Sequence, residues 1–290
     1  MERTSAVSIQ NVRKTYRRGW RGRRTRALDG VCFELQEGEI GAFIGPNGSG
    51  KSTTMRILLG LLEADSGTAA IFGCSGTDPQ VRRRVGFLPE APVFYGFVSG
   101  REFVEYAARL CGASGGSVAR RAGAILERVG LADASDRPIR DYSKGMVQRL
   151  GLAQAMVHNP DLLVLDEPMA GVDPIGVTGI VRLCETLRER GTTILLASHA
   201  LSWVASLCDR VAIFDRGQIL WNGCMDDLPE SGDRWSLDVD GYAPGKRVPV
   251  AAALESCGVR LASVGRSGAV LERRFVERIE TARGERGWAE

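Results

Sequence analysis

Apolar and polar positions along the chain alternate between two periods, and the changes of period mark the elements. Val7–Val12 alternates as a short strand, and Leu28–Leu35 reads as a second that closes at the turn Gln36-Glu37-Gly38-Glu39. Between them lies the basic loop RRGWRGRRTR, residues 17–26, so the chain enters through an antiparallel β flank. Ile40–Ile44 is an apolar strand running into the glycine-rich stretch Gly45–Gly50, and Ser52–Leu62 has helical spacing.

From Ser99 to about Val157 the period is helical, with Phe103, Ala107 and Leu110 on one stripe and Ala122, Ile125, Leu126 and Val129 on another. Two uninterrupted apolar runs follow, Leu162–Asp166 and Thr192–Ser198, separated by the helical stretch Gly179–Arg190. Strand, helix, strand in that order predicts parallel pairing inside a buried sheet. A hairpin, VAIFD-RG-QILWN, closes the core near Gly223. Beyond Met225 the pattern weakens: 235–240 alternates, 250–256 suits a short helix and 269–281 is amphipathic. We read a main domain at 1–225, with a helical lobe at about 99–157, and a small C-terminal α+β accessory domain at 226–290.

Composition narrows the class. The 290 residues, 44% hydrophobic and 25% charged, suffice for one large core and a small appendage. A net charge of +3 gives no reason to expect nucleic acid as a partner. Seven scattered cysteines without a Cys-x-x-Cys pair argue against a disulfide framework or zinc site and suit a reducing cytoplasm. The start lacks the apolar core of a signal peptide, and the most apolar stretch, 192–208, carries His199 and several hydroxyls, so no membrane span is expected.

The strongest chemical signal is Gly45-Pro46-Asn47-Gly48-Ser49-Gly50-Lys51-Ser52, which satisfies G-x-x-x-x-G-K-[ST] between a strand and a helix. Such a loop turns successive N–H groups toward phosphate oxygens, and the following helix adds the positive end of its dipole. Lys51 is placed for the β and γ phosphates, the Ser52 hydroxyl for Mg²⁺, and Thr53 for the α phosphate. The run Leu162–Leu165 then delivers Asp166 and Glu167 at a strand's C-terminal end, where parallel sheets bind ligands. Asp166 suits Mg²⁺ through water, and Glu167 suits a general base on the attacking water.

Many nucleotide hydrolases share those two features, but Tyr142-Ser143-Lys144-Gly145-Met146-Val147-Gln148-Arg149 resembles the LSGGQ-x-QR signature of ATP-binding cassette (ABC) ATPases. The resemblance extends over nearly all of Val7–Gly223, with the motifs in the family's order. It implies an α/β P-loop NTPase core with an antiparallel β flank and an ABC-type helical lobe. It also implies ATP and Mg²⁺ as cofactors, and head-to-tail pairing in which one copy's Ser143, Lys144, Gly145 and Met146 meet the nucleotide on the other's glycine loop. Tyr142, Lys144 and Met146 depart from the consensus, and the wording SKGM-x-QR is similar to ABC-2 type exporters, whose membrane subunits are separate chains. The implied partners are therefore a second copy or homologous cassette and an integral membrane permease, with the chain peripheral on the inner face of the cell membrane.

The same resemblance assigns switch residues. Glu90 in VGFLPE stands at the Q-loop position that senses Mg²⁺ and water. His199 matches the H-loop imidazole that helps hold Glu167, and Asp173 in AGVD matches the D-loop. Tyr16 matches the aromatic that stacks on adenine, with Trp20 as a substitute because the arginine insertion lengthens the gap to the loop. His158, before Asn159-Pro160, reads as a surface or helix-end residue, and the basic loop as an ordinary solvated loop rather than a lipid contact. A soluble ABC-type ATPase acting on nucleic acid or ribosomes is the alternative. Such proteins carry long coiled-coil insertions or paired cassettes, and neither is visible here. A GTPase would show Asn-Lys-x-Asp, which is also missing.

Overall fold

The computed structural model describes residues 5–18, 23–199 and 203–227. The accessory domain expected at 226–290 therefore lies outside the described residues but for its first two, as does Trp20. In chain order the elements are β1 (Ser5–Arg18), β2 (Arg23–Gln36), β3 (Ile40–Ile44), α1 (Lys51–Leu58), β4 (Ser66–Ile71), α2 (Pro79–Arg82), β5 (Val85–Leu88) and α3 (Gly100–Leu110). They continue with α4 (Gly116–Arg128), α5 (Lys144–Met156), β6 (Leu162–Asp166), α6 (Pro174–Glu189), β7 (Thr193–Ser198), α7 (Val204–Leu207), β8 (Arg210–Asp215) and β9 (Gln218–Cys224).

Two sheets form. β2-β1-β4 is the antiparallel flank, and β5-β6-β7-β3-β8-β9 is the main sheet, parallel except for the β8–β9 hairpin. Successive residues of the central strands face opposite sides, and both sides are buried, which is why these strands read as unbroken apolar runs. Ile40, Ala42, Ile44, Leu163, Leu165, Ile194 and Leu196 pack in a core shared with α3, α4, α5 and α6. Phe43, Leu162, Val164, Leu195, Ala212 and Phe214 pack with α1 and the antiparallel flank. Helices α3, α4 and α5 make the helical lobe at the expected place. Ser99 starts α3 with a capping box, its hydroxyl accepting from Glu102 N while the Glu102 carboxylate takes Ser99 N.

Four expectations need correction. In the basic stretch 17–26 the described residues, 17–18 and 23–26, are strand, because the β1–β2 ladder continues to Arg17↔Arg24 and Arg18↔Arg23. A hairpin arm wet on both faces closes its backbone hydrogen bonds whatever its side chains are, so no apolar alternation announces it. The short strand at 7–12 is thus fourteen residues long, broken by bulges. α1 stops at Leu58, with Gly60 in the left-handed region at φ +65°, although the apolar residues run on to Leu62. α6 starts at Pro174 rather than Gly179, because Asp173 caps it and proline suits its first position. β4 and β5 had no sequence signal: one opens on Ser-Gly-Thr and the other has four residues.

Candidate nucleotide site

Strand register assembles the site. Ile44 pairs with Ser198 across β3–β7, Asp166 with Ala197 across β6–β7, and Leu88 with Leu165 across β5–β6. The chain therefore leaves β3, β5, β6 and β7 along one rim, and Gly45, Glu90, Glu167 and His199 all follow from that alignment.

On the rim, Gly50 precedes α1 at φ +113° and offers no side-chain cap to the helix's first N–H groups. Only glycine fits, since a Cβ there would come within 2.7 Å of the Leu28 side chain. Lys51 is buried and donates from Nζ to the carbonyls of Gly45 at 2.7 Å and Pro46 at 3.2 Å, which folds the loop around its ammonium. Burial pushes its pKa down, while Glu167, Asp166 and Glu90, in that order, push it up. Ser49 Oγ is buried without a partner, and Ser52 Oγ donates to Asp166 Oδ1 at 3.1 Å. Thr53 follows in the first turn, partly buried. Burial raises the Asp166 carboxyl above the usual range, with Glu90 and Glu167 adding to the rise and the Ser52 bond opposing it.

Glu167 holds a left-handed backbone at φ +52°, rare for a residue with a side chain. Its Oε1 lies 2.9 Å from His199 Nδ1, and His199 is itself exposed. The arrangement can orient a carboxylate toward a water and hold it there. Glu90 is exposed, yet its field acts on both Lys51 and Asp166, so it belongs to the same cluster.

The signature residues come from a separate element, the start of α5. Ser143 caps α5, its hydroxyl accepting from Met146 N at 3.2 Å, and Ser143 and Lys144 are exposed while Gly145 and Met146 are half-buried. The turn thus faces outward rather than into its own protomer. Asp173 caps α6 by accepting from Gly176 N at 2.9 Å, and that bond lowers its carboxyl pKa. Tyr16 is exposed on β1 opposite Thr25, two residues from Ala27, whose carbonyl approaches Gly50, so it stands on the arm nearest the loop. His158 lies in the turn two residues past the end of α5, half-buried with Nε2 near the Val85 carbonyl at 3.2 Å, and burial lowers its pKa. Sequence reading gave Gln148 no role, yet it is buried and donates from Nε2 to the Glu167 carbonyl at 3.1 Å. An amide on the inward side of an otherwise apolar helix was the available signal.

A parallel sheet with a glycine loop after β3 and carboxylates on the shared rim defines a P-loop nucleoside triphosphatase. Residues 28–170 match the ABC transporter family. An uncharacterized ABC transporter ATP-binding protein of Nostoc sp. is 34% identical, the match covering 95% of this chain and 90% of that protein. The daunorubicin/doxorubicin resistance ATP-binding protein DrrA of Streptomyces peucetius is 36% identical, over 79% of this chain and 68% of DrrA. Among solved structures, an ATP-binding subunit of an ABC transporter superposes with a TM-score of 0.71 at 26% identity, covering 94% of this chain and 99% of that one. A dimeric cassette in a post-hydrolysis state, bound to ADP and Pi, gives 0.70 at 26% identity, covering 76% and 98%. The chain belongs to the ATP-binding subunits of ABC transporters, an ATPase family that binds adenine nucleotides and hydrolyses ATP.

Proposed function

We propose that this chain powers an exporter by closing head to tail on a second cassette around ATP, and that it works peripherally on the inner face of the membrane through a separate permease. The observation that carries this reading is the rim itself: Lys51, the Ser52–Asp166 pair and the Glu167–His199 pair converge, while Ser143 faces outward on a capped helix. Uncapped N–H groups of α1, the unpartnered Ser49 hydroxyl and Lys51 suit phosphate oxygens. The start of α5, with the exposed Ser143 hydroxyl and Gly145 in its first turn, suits the γ phosphate held by another copy. Lys144 adds positive charge there, and the exposed Asp173 follows Val172, whose Cα lies beside Gly145. Tyr16 offers adenine a ring face.

The residues also fit Mg²⁺. Three carboxylates crowd around one lysine, and Ser52 Oγ and Asp166 Oδ1 are already side by side. Such an ion takes most of its ligands from phosphate and water. Ser52, Asp166 and Glu90 would hold it, and it would supply charge neutralisation at the phosphates. Glu167 then accepts a proton from the attacking water, with its carboxylate held by His199. Positioning and electrostatics carry the acceleration.

Two further observations favour a membrane partner outside the chain. No helix among the described residues is long and apolar enough to cross a membrane. Directly after Glu90, Val93, Tyr95 and Phe97 are 90%, 70% and 76% exposed, an apolar patch where a permease can dock and sense the nucleotide state. The named relatives point to export: besides DrrA there is a bacitracin transport ATP-binding protein in Bacillus licheniformis, 38% identical. The decisive variant is Glu167→Gln. It should bind ATP normally, lose turnover by roughly 100-fold or more, and accumulate as an ATP-bound dimer in gel filtration. Turnover at the wild-type rate would remove Glu167 from the role of base.

A further inference from the structure

Glu167 is held at four points, and one of them comes from an unexpected element. Its N–H donates to the Ala197 carbonyl on β7, and its carbonyl accepts from Ala170 N, each at 3.0 Å. Its side chain meets His199. The fourth hold is Gln148, on the helix that begins at Ser143, whose buried amide takes the second lone pair of the Glu167 carbonyl. A left-handed conformation in a glutamate persists only where its surroundings over-determine it, and these bonds are that surrounding.

The same helix touches the segment after Glu167 again. A Cβ on Gly171, which lies at φ +72°, would come 2.5 Å from Lys144 Cδ, so the Lys144 stem lies across the glycine. A Cβ on Gly145 would sit 3.3 Å from the Gly171 carbonyl. The start of α5 and the stretch 167–172 are therefore bracketed together, once through a buried hydrogen bond and once through packing. Gln148 lies five residues along from Ser143, about 7.5 Å of helix rise, within a rigid element.

We infer that Gln148 is a positioning residue that sets the Glu167 backbone and so ties each protomer's signature turn to its own hydrolytic glutamate. This rests on the reading of Glu167 as base. When the Ser143 turn engages a nucleotide held by the opposite copy, any shift of α5 reaches the Glu167 carbonyl through that amide. Occupancy of one composite site thereby adjusts the base of the other.

The test compares full-length wild type, Gln148→Met, Glu167→Gln and the double variant, with MgATP as the probe. Methionine keeps the volume and loses the donor. Gln148→Met should bind ATP within about two-fold of wild type and lose roughly 10- to 100-fold in kcat at little-changed KM, the size expected when a reacting group is misplaced by about 1 Å. In the Glu167→Gln background it should cost nothing more, because its effect passes through the carboxylate. Gln148→Asn, which keeps a buried amide but not the reach, should move kcat in the same direction and covers the case in which methionine does not fold. Gln148 variants that hydrolyse within about two-fold of wild type, beside an inactive Glu167→Gln, overturn this inference alone. A multiplicative loss in the double variant overturns it too. Wild-type turnover by Glu167→Gln overturns the reading of the base, and this inference with it.

Discussion

Asp166 sets function against stability within a single side chain. It is 2% exposed, and burial lifts its pKa above the ordinary carboxylate value, with the anions of Glu90 and Glu167 adding to the rise. The folded protein thus binds that proton more tightly than the unfolded chain does. The resulting stabilisation is complete below the unfolded pKa and is lost as pH rises through the folded one, so at neutral pH the fold carries an unfavourable anion. Asp166→Asn keeps the acceptor for Ser52 and removes the charge. It should raise the Tm of the nucleotide-free protein at pH 7 by roughly 2–4 °C, and the gain should shrink as pH falls toward about 4. ATPase activity should be lost. Thermal denaturation of both chains across pH checks this, and a lower Tm for the variant at pH 7 contradicts it. At this scale much was legible. Spacing alone marked Lys51, Ser52, Asp166 and Glu167, because phosphate chemistry restricts which residues can stand there. The left-handed backbone of Glu167 and the amide of Gln148 were not legible, since both depend on where β7 and α5 meet.

Among the elements, α5 matters most because it presents the signature turn. Tyr142, at the place of the consensus leucine, anchors its entry: the hydroxyl donates to the Ala134 carbonyl at 2.8 Å, and the ring fills the space beside Gly100 at the start of α3. Tyr142→Phe removes one hydrogen bond, while the Ala134 carbonyl keeps its bond from Arg137 N, a cost of about 1 kcal/mol or a Tm lower by roughly 2–4 °C. The KM for ATP should not move, because the tyrosine fixes the lobe rather than the nucleotide. Calorimetry with steady-state kinetics checks both halves, and an unchanged Tm with a raised KM contradicts them. The buried central strands and the helical lobe were readable because burial on both faces, or on one stripe, leaves a pattern in sequence. The long arms of β1 and β2, the start of α6 and the strands β4 and β5 were not. The arms and β4 are ordered by backbone pairing and the start of α6 by capping, which exposed polar residues satisfy equally well, while β5 is an apolar run of only four residues.

For the whole molecule, the outward placement of Ser143 fits the proposal that a second copy completes each site. The glycine loop, Lys51 and Glu167 gather on one rim, and the group proposed to close over the γ phosphate is exposed at the start of a different element. The order of the motifs was legible along the chain, whereas the exposure of Ser143 was not, because it depends on how α5 packs against the rest of the fold. The direct measurement mixes two full-length variants, Lys51→Met and Ser143→Arg, each inactive alone. In an equal mixture about half the dimers are mixed and each has one intact composite site, so about a quarter of the wild-type ATPase activity should return. A mixture as inactive as its two components would show that each nucleotide is handled within one chain, and would contradict the account.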